Sequence, residues 1–297
     1  TGAAFDALVI DEAHRLNERS GLYGNEGENQ IKELVAASRF SVFFIDESQR
    51  VTFKDIGTVS DIHAHAQAAG AHIHDAELRS QFRCNGSEGY LTWLDDVLGI
   101  RSAEEDVADL DYDFRVFDDP NEMHAAIEER NRVANKARVV AGYCWEWPTG
   151  AARANPNHHD VVIPEHGYAQ SWNLTSTDTW AIDAGSVDQV GCIHTCQGLE
   201  FDYVGVIFGN DLTYDLDNQE WQGHPENSHD TTVRRSRDQF VDLVKNTYRV
   251  LLSRGLRGCY VYFMEKDTER FIKSRMESGA ASQLVARDTT RESVKYE

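Results

Sequence analysis

The sequence predicts an α/β protein built on parallel sheets with helices on both faces. Three observations predict it. Short apolar runs alternate with amphipathic stretches along most of the 297 residues. Two of those runs, FDALVI at 5–10 and SVFFI at 41–45, stop abruptly at acids, Asp11-Glu12 and Asp46-Glu47. After Leu78 the alternation of strand and helix restarts, so two similar α/β halves follow one another.

Each element follows from its local pattern. FDALVI reads as a strand buried on both faces. NQIKELVAAS (29–38) places Ile31, Leu34 and Val35 on one helical face. SVFFI is a second strand, TVSDIHAHAQAA (58–69) a helix and AHIHDAEL (71–78) a strand. GSEGYLTWLDDVLG (86–99) is an amphipathic helix stopped by Gly99. FRVFD (114–118), PNEMHAAIEERNRVAN (120–135) and ARVVAGYCW (137–145) repeat strand, helix, strand, with Pro120 suited to a first helical turn. From about 146 to 187 the periodicity fades among prolines, glycines and tryptophans, which predicts an inserted, loop-rich segment. DQVGCIH (188–194) and DYVGVIFG (202–209) return to strands. RDQFVDLVKNTYRVLLSR (237–254) is a long helix and GCYVYFME (258–265) a last strand. The polar tail, 278–297, offers no core-forming pattern.

Composition sets the frame. An apolar fraction of 41% supports real cores, and no run approaches membrane-spanning length. Five scattered cysteines argue against a disulfide framework and fit a reducing, cytoplasmic setting. The net charge of -21 means that any nucleic-acid contact needs a local basic groove on an acidic body.

The acids carry the chemistry. A buried strand ending in Asp-Glu sets two carboxylates at the carboxyl edge of a parallel sheet, where open α/β sheets bind ligands. Asp11 there can hold Mg²⁺, and Glu12 can orient and deprotonate an attacking water. Adjacent acids alone also fit an ordinary strand end; four apolar residues running into Asp-Glu-Ala-His favour the nucleotide reading. FFIDESQRVTF (43–53) puts Gln49 just past the second strand, where a neutral amide can sense a γ-phosphate. LRSQFRCNGSEGYL (78–91) sets Arg79 and Arg83 ahead of a helix. GCIHTCQGLEFDYVGVI (191–207) places Thr195, Gln197, Gly198 and Glu200 between strands. NTYRVLLSRGLRGCYVYF (246–263) ends a helix at Arg254, with Gly255 allowing the turn into a strand.

In this order and spacing the set resembles motifs II to VI of superfamily 1 helicases. DEAHRL, CQGLEFD and NTYRVLLSRGLRGCYVYF are similar to the Schlafen group-3-like DNA/RNA helicase family, formerly a domain of unknown function, over about residues 5–275. The resemblance implies a P-loop NTPase helicase core of RecA-like sheets. Residues 1–77 would be the carboxyl part of the first motor domain, with Walker B and motif III. Residues 78–277 would be the second, with motifs IV to VI and the insertion near 146–187. It implies ATP and Mg²⁺ as cofactors and DNA or RNA, single-stranded, as partner. Asp11 (the Mg²⁺ ligand) and Glu12 match the Walker B acids, Gln49 the motif III glutamine, and Arg83 the motif IV arginine that contacts the γ-phosphate. Gln197, Gly198 and Glu200 match motif V positions near phosphates and ribose, beside His194 and Thr195 on the nucleic-acid side. Arg254 matches the motif VI arginine finger.

One part of that pattern is missing. No GxxxxGK(S/T) occurs in the chain. The expectation is truncation: Thr1 starts close to the Walker B strand, and the upstream half of the first motor domain lies elsewhere, so this piece alone hydrolyses little ATP. The alternative is a non-catalytic, helicase-like module that binds nucleic acid or a protein partner. A P-loop ATPase acting on proteins is a weaker reading, because motifs IV to VI follow the helicase order.

Other signals are weighed and set lower. The pairs His63/His65 and His72/His74, the stretch CIHTC (192–196) and the group His158, His159 and Asp160 each suggest a metal, but polar or core roles account for them. Trp145, Trp147, Trp172 and Trp180 can stack on nucleobases, although a core role is preferred. RRSRDQF (234–240) is the densest basic patch and either faces phosphates or offsets the acidic surface.

Overall fold

A computed structural model describes residues 4–19, 26–52, 54–77, 84, 88–102, 112–155, 157–173 and 179–277. Its centre is a seven-stranded sheet. The strands in chain order are β3 (Asp113–Phe117), β4 (Ala137–Ala141), β5 (Val161–Ile163), β6 (Tyr168–Trp172), β7 (Gln189–Cys192), β8 (Phe201–Phe208) and, last, β11 (Gly255–Phe263). They lie in the order β3-β11-β8-β4-β7-β6-β5. All neighbours are parallel except β5 and β6. A smaller parallel pair, β1 (Leu8–Ile10) and β2 (Ser41–Phe43), stands apart. The expected α/β class with parallel sheets and flanking helices is therefore the observed one.

The helices sit where periodicity and caps put them. The Asn29 side chain accepts from the Lys32 amide and opens α1 (Gln30–Ala37). The Thr58 side chain does the same for α2 (Val59–Ala68), and Asp119 followed by Pro120 opens α4 (Pro120–Ala134). Ile10, Ala13, Ile31 and Ile62 make a small core where α1 and α2 cover the β1–β2 pair. The larger core is built on α3 (Glu88–Val97) and α7 (Phe240–Leu252) against the central strands. α7 buries Phe240, Leu243, Val244, Tyr248 and Leu251, the three-and-four spacing of a core-facing helix.

Three expectations change. Only three residues of FDALVI form a strand, and Val9 is 69% exposed, because β2 alone flanks β1 among the described residues and nothing covers the outer face. AHIHDAEL forms no strand over 71–77; its alternating histidines find no pairing edge, and Asp75 instead meets His63 of α2 (2.8 Å). The segment 146–187 is more ordered than its composition suggests. It supplies β5 and β6, and Trp172 and Trp180 are fully buried. Buried Arg138 on β4 ties it down, donating to Ser186 Oγ (2.8 Å) and the Asp183 carbonyl (2.9 Å). A hairpin, β9 (Leu212–Asp215) and β10 (Glu220–Gly223), carries no turn signal the sequence reading used. The tail, 278–297, lies outside the described residues.

One buried acid gives the fold a pH signature. Asp211 is 2% exposed and accepts from the Tyr248 hydroxyl at 2.6 Å. Burial pushes its carboxyl above the ordinary value, and the Tyr248 hydrogen bond offsets part of that. The folded chain thus keeps this proton to higher pH than the unfolded chain, whose carboxyl titrates near 3.9. Stability is lost as pH rises from about 3.9 through the raised folded value. Asp211→Asn removes that slope. In melting curves taken between about pH 4 and pH 7, the parent should lose stability relative to the variant as pH rises; parallel curves would contradict this.

Candidate functional site

The paired acids are fixed from both sides. The Phe44 amide donates to the Ile10 carbonyl and the Ala13 amide to the Phe44 carbonyl, each at 2.8 Å. Between these bonds the chain turns sharply. Glu12 adopts φ 51°, a left-handed conformation that costs a non-glycine residue about 1–3 kcal/mol. Its amide donates to Asp11 Oδ1 (2.9 Å), and the Asp11 carboxylate is exposed. Glu12 Oε2 lies 3.2 Å from Nε2 of His14, which is 1% exposed, although without hydrogen-bond geometry. Gly57 backs the turn so closely that a Cβ there would stand 1.9 Å from the Ala13 carbonyl oxygen.

The second acidic strand end leads to Gln49, which is 5% exposed. Its Nε2 donates to Asp46 Oδ2 (3.0 Å), and Asp46 Oδ1 also accepts from the Ser48 amide (3.1 Å). Burial raises the Asp46 carboxyl, but the Arg249 guanidinium and the Ser48 and Gln49 hydrogen bonds outweigh it and hold the group below its ordinary range. Gln49 Oε1 is buried with no hydrogen-bond partner among the described residues, an arrangement native proteins carry rarely.

The segment 46–51 meets the larger sheet unit directly. Gln197 Nε2 donates to the Gln49 carbonyl (3.4 Å), and Asn246 Nδ2 to the Arg50 carbonyl (2.9 Å). Arg249 Nη1 lies 3.7 Å from Asp46 Oδ2. Asn246 and Arg249 share one face of α7, three residues apart. Both escaped the sequence reading. The available signal was an arginine embedded in the apolar run TYRVLL, which called for a buried partner.

Beyond β7 the chain forms a single turn, α5 (Ile193–Cys196). Thr195 is 5% exposed and donates to Asn173 Oδ1 (3.0 Å), so its hydroxyl is engaged inside the protein. His194 is exposed; its Nε2 is 2.9 Å from Asp230 Oδ2, and its ring meets Tyr143 edge-on. Gly198 adopts φ 84°, which lets the loop reverse toward exposed Glu200. Arg254 is 1% exposed. Its Nε donates to the Val250 carbonyl (3.0 Å) and its Nη1 to the Leu199 carbonyl (3.2 Å), tying the end of α7 to the Gly198–Glu200 loop. Arg83 lies outside the described residues.

The structure thus joins Gln49 to Gln197 and Arg254 to the loop between Gly198 and Glu200. A polar cleft of about 710 Å³ beside the β9–β10 hairpin is lined by none of these residues. Among the described residues, no group of three or more His, Cys, Asp or Glu is arranged to hold a metal, and no helix is long and apolar enough to cross a membrane.

Comparison with known proteins gives two matches. A family profile described as Schlafen group 3, DNA/RNA helicase domain, matches residues 1–265. The uncharacterized protein YPL245W of Saccharomyces cerevisiae is 25% identical over 300 residues, which cover 90% of this chain and 64% of that protein.

Proposed function

Because the chain belongs to the Schlafen group 3 DNA/RNA helicase-domain family, we propose that it is part of an ATP-dependent helicase or translocase that moves on single-stranded DNA or RNA. One observation carries this reading: the Gln49 and Arg50 carbonyls, just past the second acidic strand end, are held by Gln197 and by Asn246 of the helix that leads to Arg254. A motor needs such a joint, because nucleotide contacts on one unit must be felt by the other.

In this reading the cofactors would be Mg²⁺ and ATP. Asp11 presents an exposed carboxylate of the hard-oxygen kind that Mg²⁺ takes. Bound Mg²⁺ would supply neutralisation of phosphate charge. Glu12, at its fixed turn, would orient the attacking water and take its proton. Gln49 would sense the γ-phosphate side through its buried amide. Gln197, Gly198 and Glu200 would border the phosphates and ribose, and Arg254 would act as the finger once domain closure frees its guanidinium. Arg83 would be the second guanidinium. The chain has no GxxxxGK(S/T), so in this reading the phosphate-cradling loop would have to be supplied from outside these 297 residues. In this reading His194, exposed and edge-on to Tyr143, would lie beside the nucleic-acid strand.

A second reading, a non-catalytic helicase-like binding module, is favoured by the burial of Arg254 against carbonyls of its own unit. The deciding experiment measures ATP hydrolysis by the full-length protein with and without a single-stranded oligonucleotide. Stimulation supports the motor; nucleic-acid binding without hydrolysis supports the module.

A further inference from the structure

We propose that Arg249 is a positioning residue that keeps Gln49 in register with α7, acting through the Asp46 carboxylate. The inference rests on the motor reading and adds to it a residue outside the matched motif positions.

The geometry is a chain of three links. Arg249 and Asp95 form a two-pronged ion pair inside the larger unit, Nε to Oδ1 and Nη2 to Oδ2 (3.2 Å). Both residues are buried, at 8% and 7% exposed. That pair spends two of the three guanidinium nitrogens and fixes the plane of the fork on α3. The remaining nitrogen, Nη1, faces out of the unit and stands 3.7 Å from Asp46 Oδ2. The same Oδ2 accepts from Gln49 Nε2. One carboxylate oxygen therefore lies between the guanidinium and the amide.

The surroundings make the link directional. The backbone on either side is gripped by two more amides from the larger unit, Gln197 on the Gln49 carbonyl and Asn246 on the Arg50 carbonyl. Asn246, Arg249 and the Val250 carbonyl that receives Arg254 all belong to the same helix. A shift of α7 that moves Arg254 must also move Nη1 relative to Asp46, and so reorient the Gln49 amide. A role limited to stability would need only the pairing with Asp95.

Two variants separate these roles. Asp46→Asn leaves the Arg249–Asp95 pair intact, removes the charge that faces Nη1 and replaces one of the two acceptor oxygens used by Ser48 and Gln49 with a donor. Arg249→Lys keeps the charge and loses the fork. In the full-length protein with a saturating single-stranded oligonucleotide, each should lower kcat by on the order of 10²-fold, the usual effect of a misplaced positioning group. KM for ATP should stay within about twofold, because neither residue is assigned a contact with nucleotide. The melting temperature of Asp46→Asn should fall slightly, because the attraction that holds the Asp46 carboxyl low is lost, while the chain stays fully folded at the assay temperature. Unchanged kcat in both variants would overturn the proposal, as would a kcat loss tracking a loss of folding. If the parent hydrolyses no ATP, the motor reading fails and hydrogen exchange decides this one. Faster exchange at the amides of 47–51 in Asp46→Asn supports the link, and unchanged protection overturns it.

Discussion

Glu12→Gln in the full-length protein is expected to reduce nucleic-acid-stimulated ATP hydrolysis by about 10²–10⁴-fold, the span a positioned general base contributes. The substitution is nearly isosteric, so the turn between the Ile10 and Ala13 hydrogen bonds should persist. What disappears is the carboxylate proposed to take a proton from water, while exposed Asp11 is left in place. ATP should still bind, so the loss falls on kcat. Arg254→Ala should cost as much or more, about 10³–10⁵-fold, if its guanidinium serves as a finger. Because Arg254 also ties α7 to the Leu199 carbonyl, Arg254→Lys is the better-behaved partner variant: it keeps a cation and loses the fork. Steady-state hydrolysis at saturating ATP checks all three. Parent rates in Glu12→Gln and Arg254→Ala would remove both roles.

The second large effect is on the fold. Trp172→Ala should destabilise the chain by about 3–5 kcal/mol, the range for deleting a large buried aromatic. Trp172 is fully buried at the end of β6 and packs on the rings of Tyr143, Trp145 and Trp147. The next residue, Asn173, donates its amide to the Val190 carbonyl and accepts the Thr195 hydroxyl. Collapse around a cavity at 172 would therefore reach α5. Urea unfolding of the 297-residue chain measures the loss. A change below about 1 kcal/mol, the scale of a surface substitution, would show that the segment 157–173 is not part of the core.

These two cases show how unevenly the sequence speaks. The turn that carries Asp11 and Glu12 was legible because its signal is local: an apolar run, then two acids. Helices such as α1 and α4 were legible for the same reason, since the face of Ile31, Leu34 and Val35 and a Pro120 suited to a first turn are local signals. Strands β5 and β6, at one end of the sheet, were not. They are held by tryptophans that reach across many residues, Trp172 on Trp147 and Trp145 on the Val162 carbonyl, and the intervening prolines and glycines mask any period. His72 and His74 alternated as a strand would, but a strand needs a pairing edge, which the local pattern does not reveal. At the site, Gln49 and Gln197 could each be placed beside a phosphate, yet their contact with one another was not readable. Arg249 was missed because its two acids, Asp46 and Asp95, lie far away along the chain. Thr195, expected at a nucleic-acid backbone, turned out to be hydrogen-bonded inside the protein, a fact that depends on Asn173.

The claim underneath all of this is that the acids after β1 and the arginine after α7 grip one nucleotide from two sides. A double-mutant cycle tests it directly. Affinity for Mg²⁺·ADP with aluminium fluoride is measured by calorimetry in the full-length parent, Asp11→Ala, Arg254→Ala and the double variant. The account predicts that each single change weakens binding and that the two are coupled by about 0.5–3 kcal/mol, as expected for groups acting on one ligand. Strictly additive losses, or no loss from either substitution, would mean that the two groups never share a nucleotide.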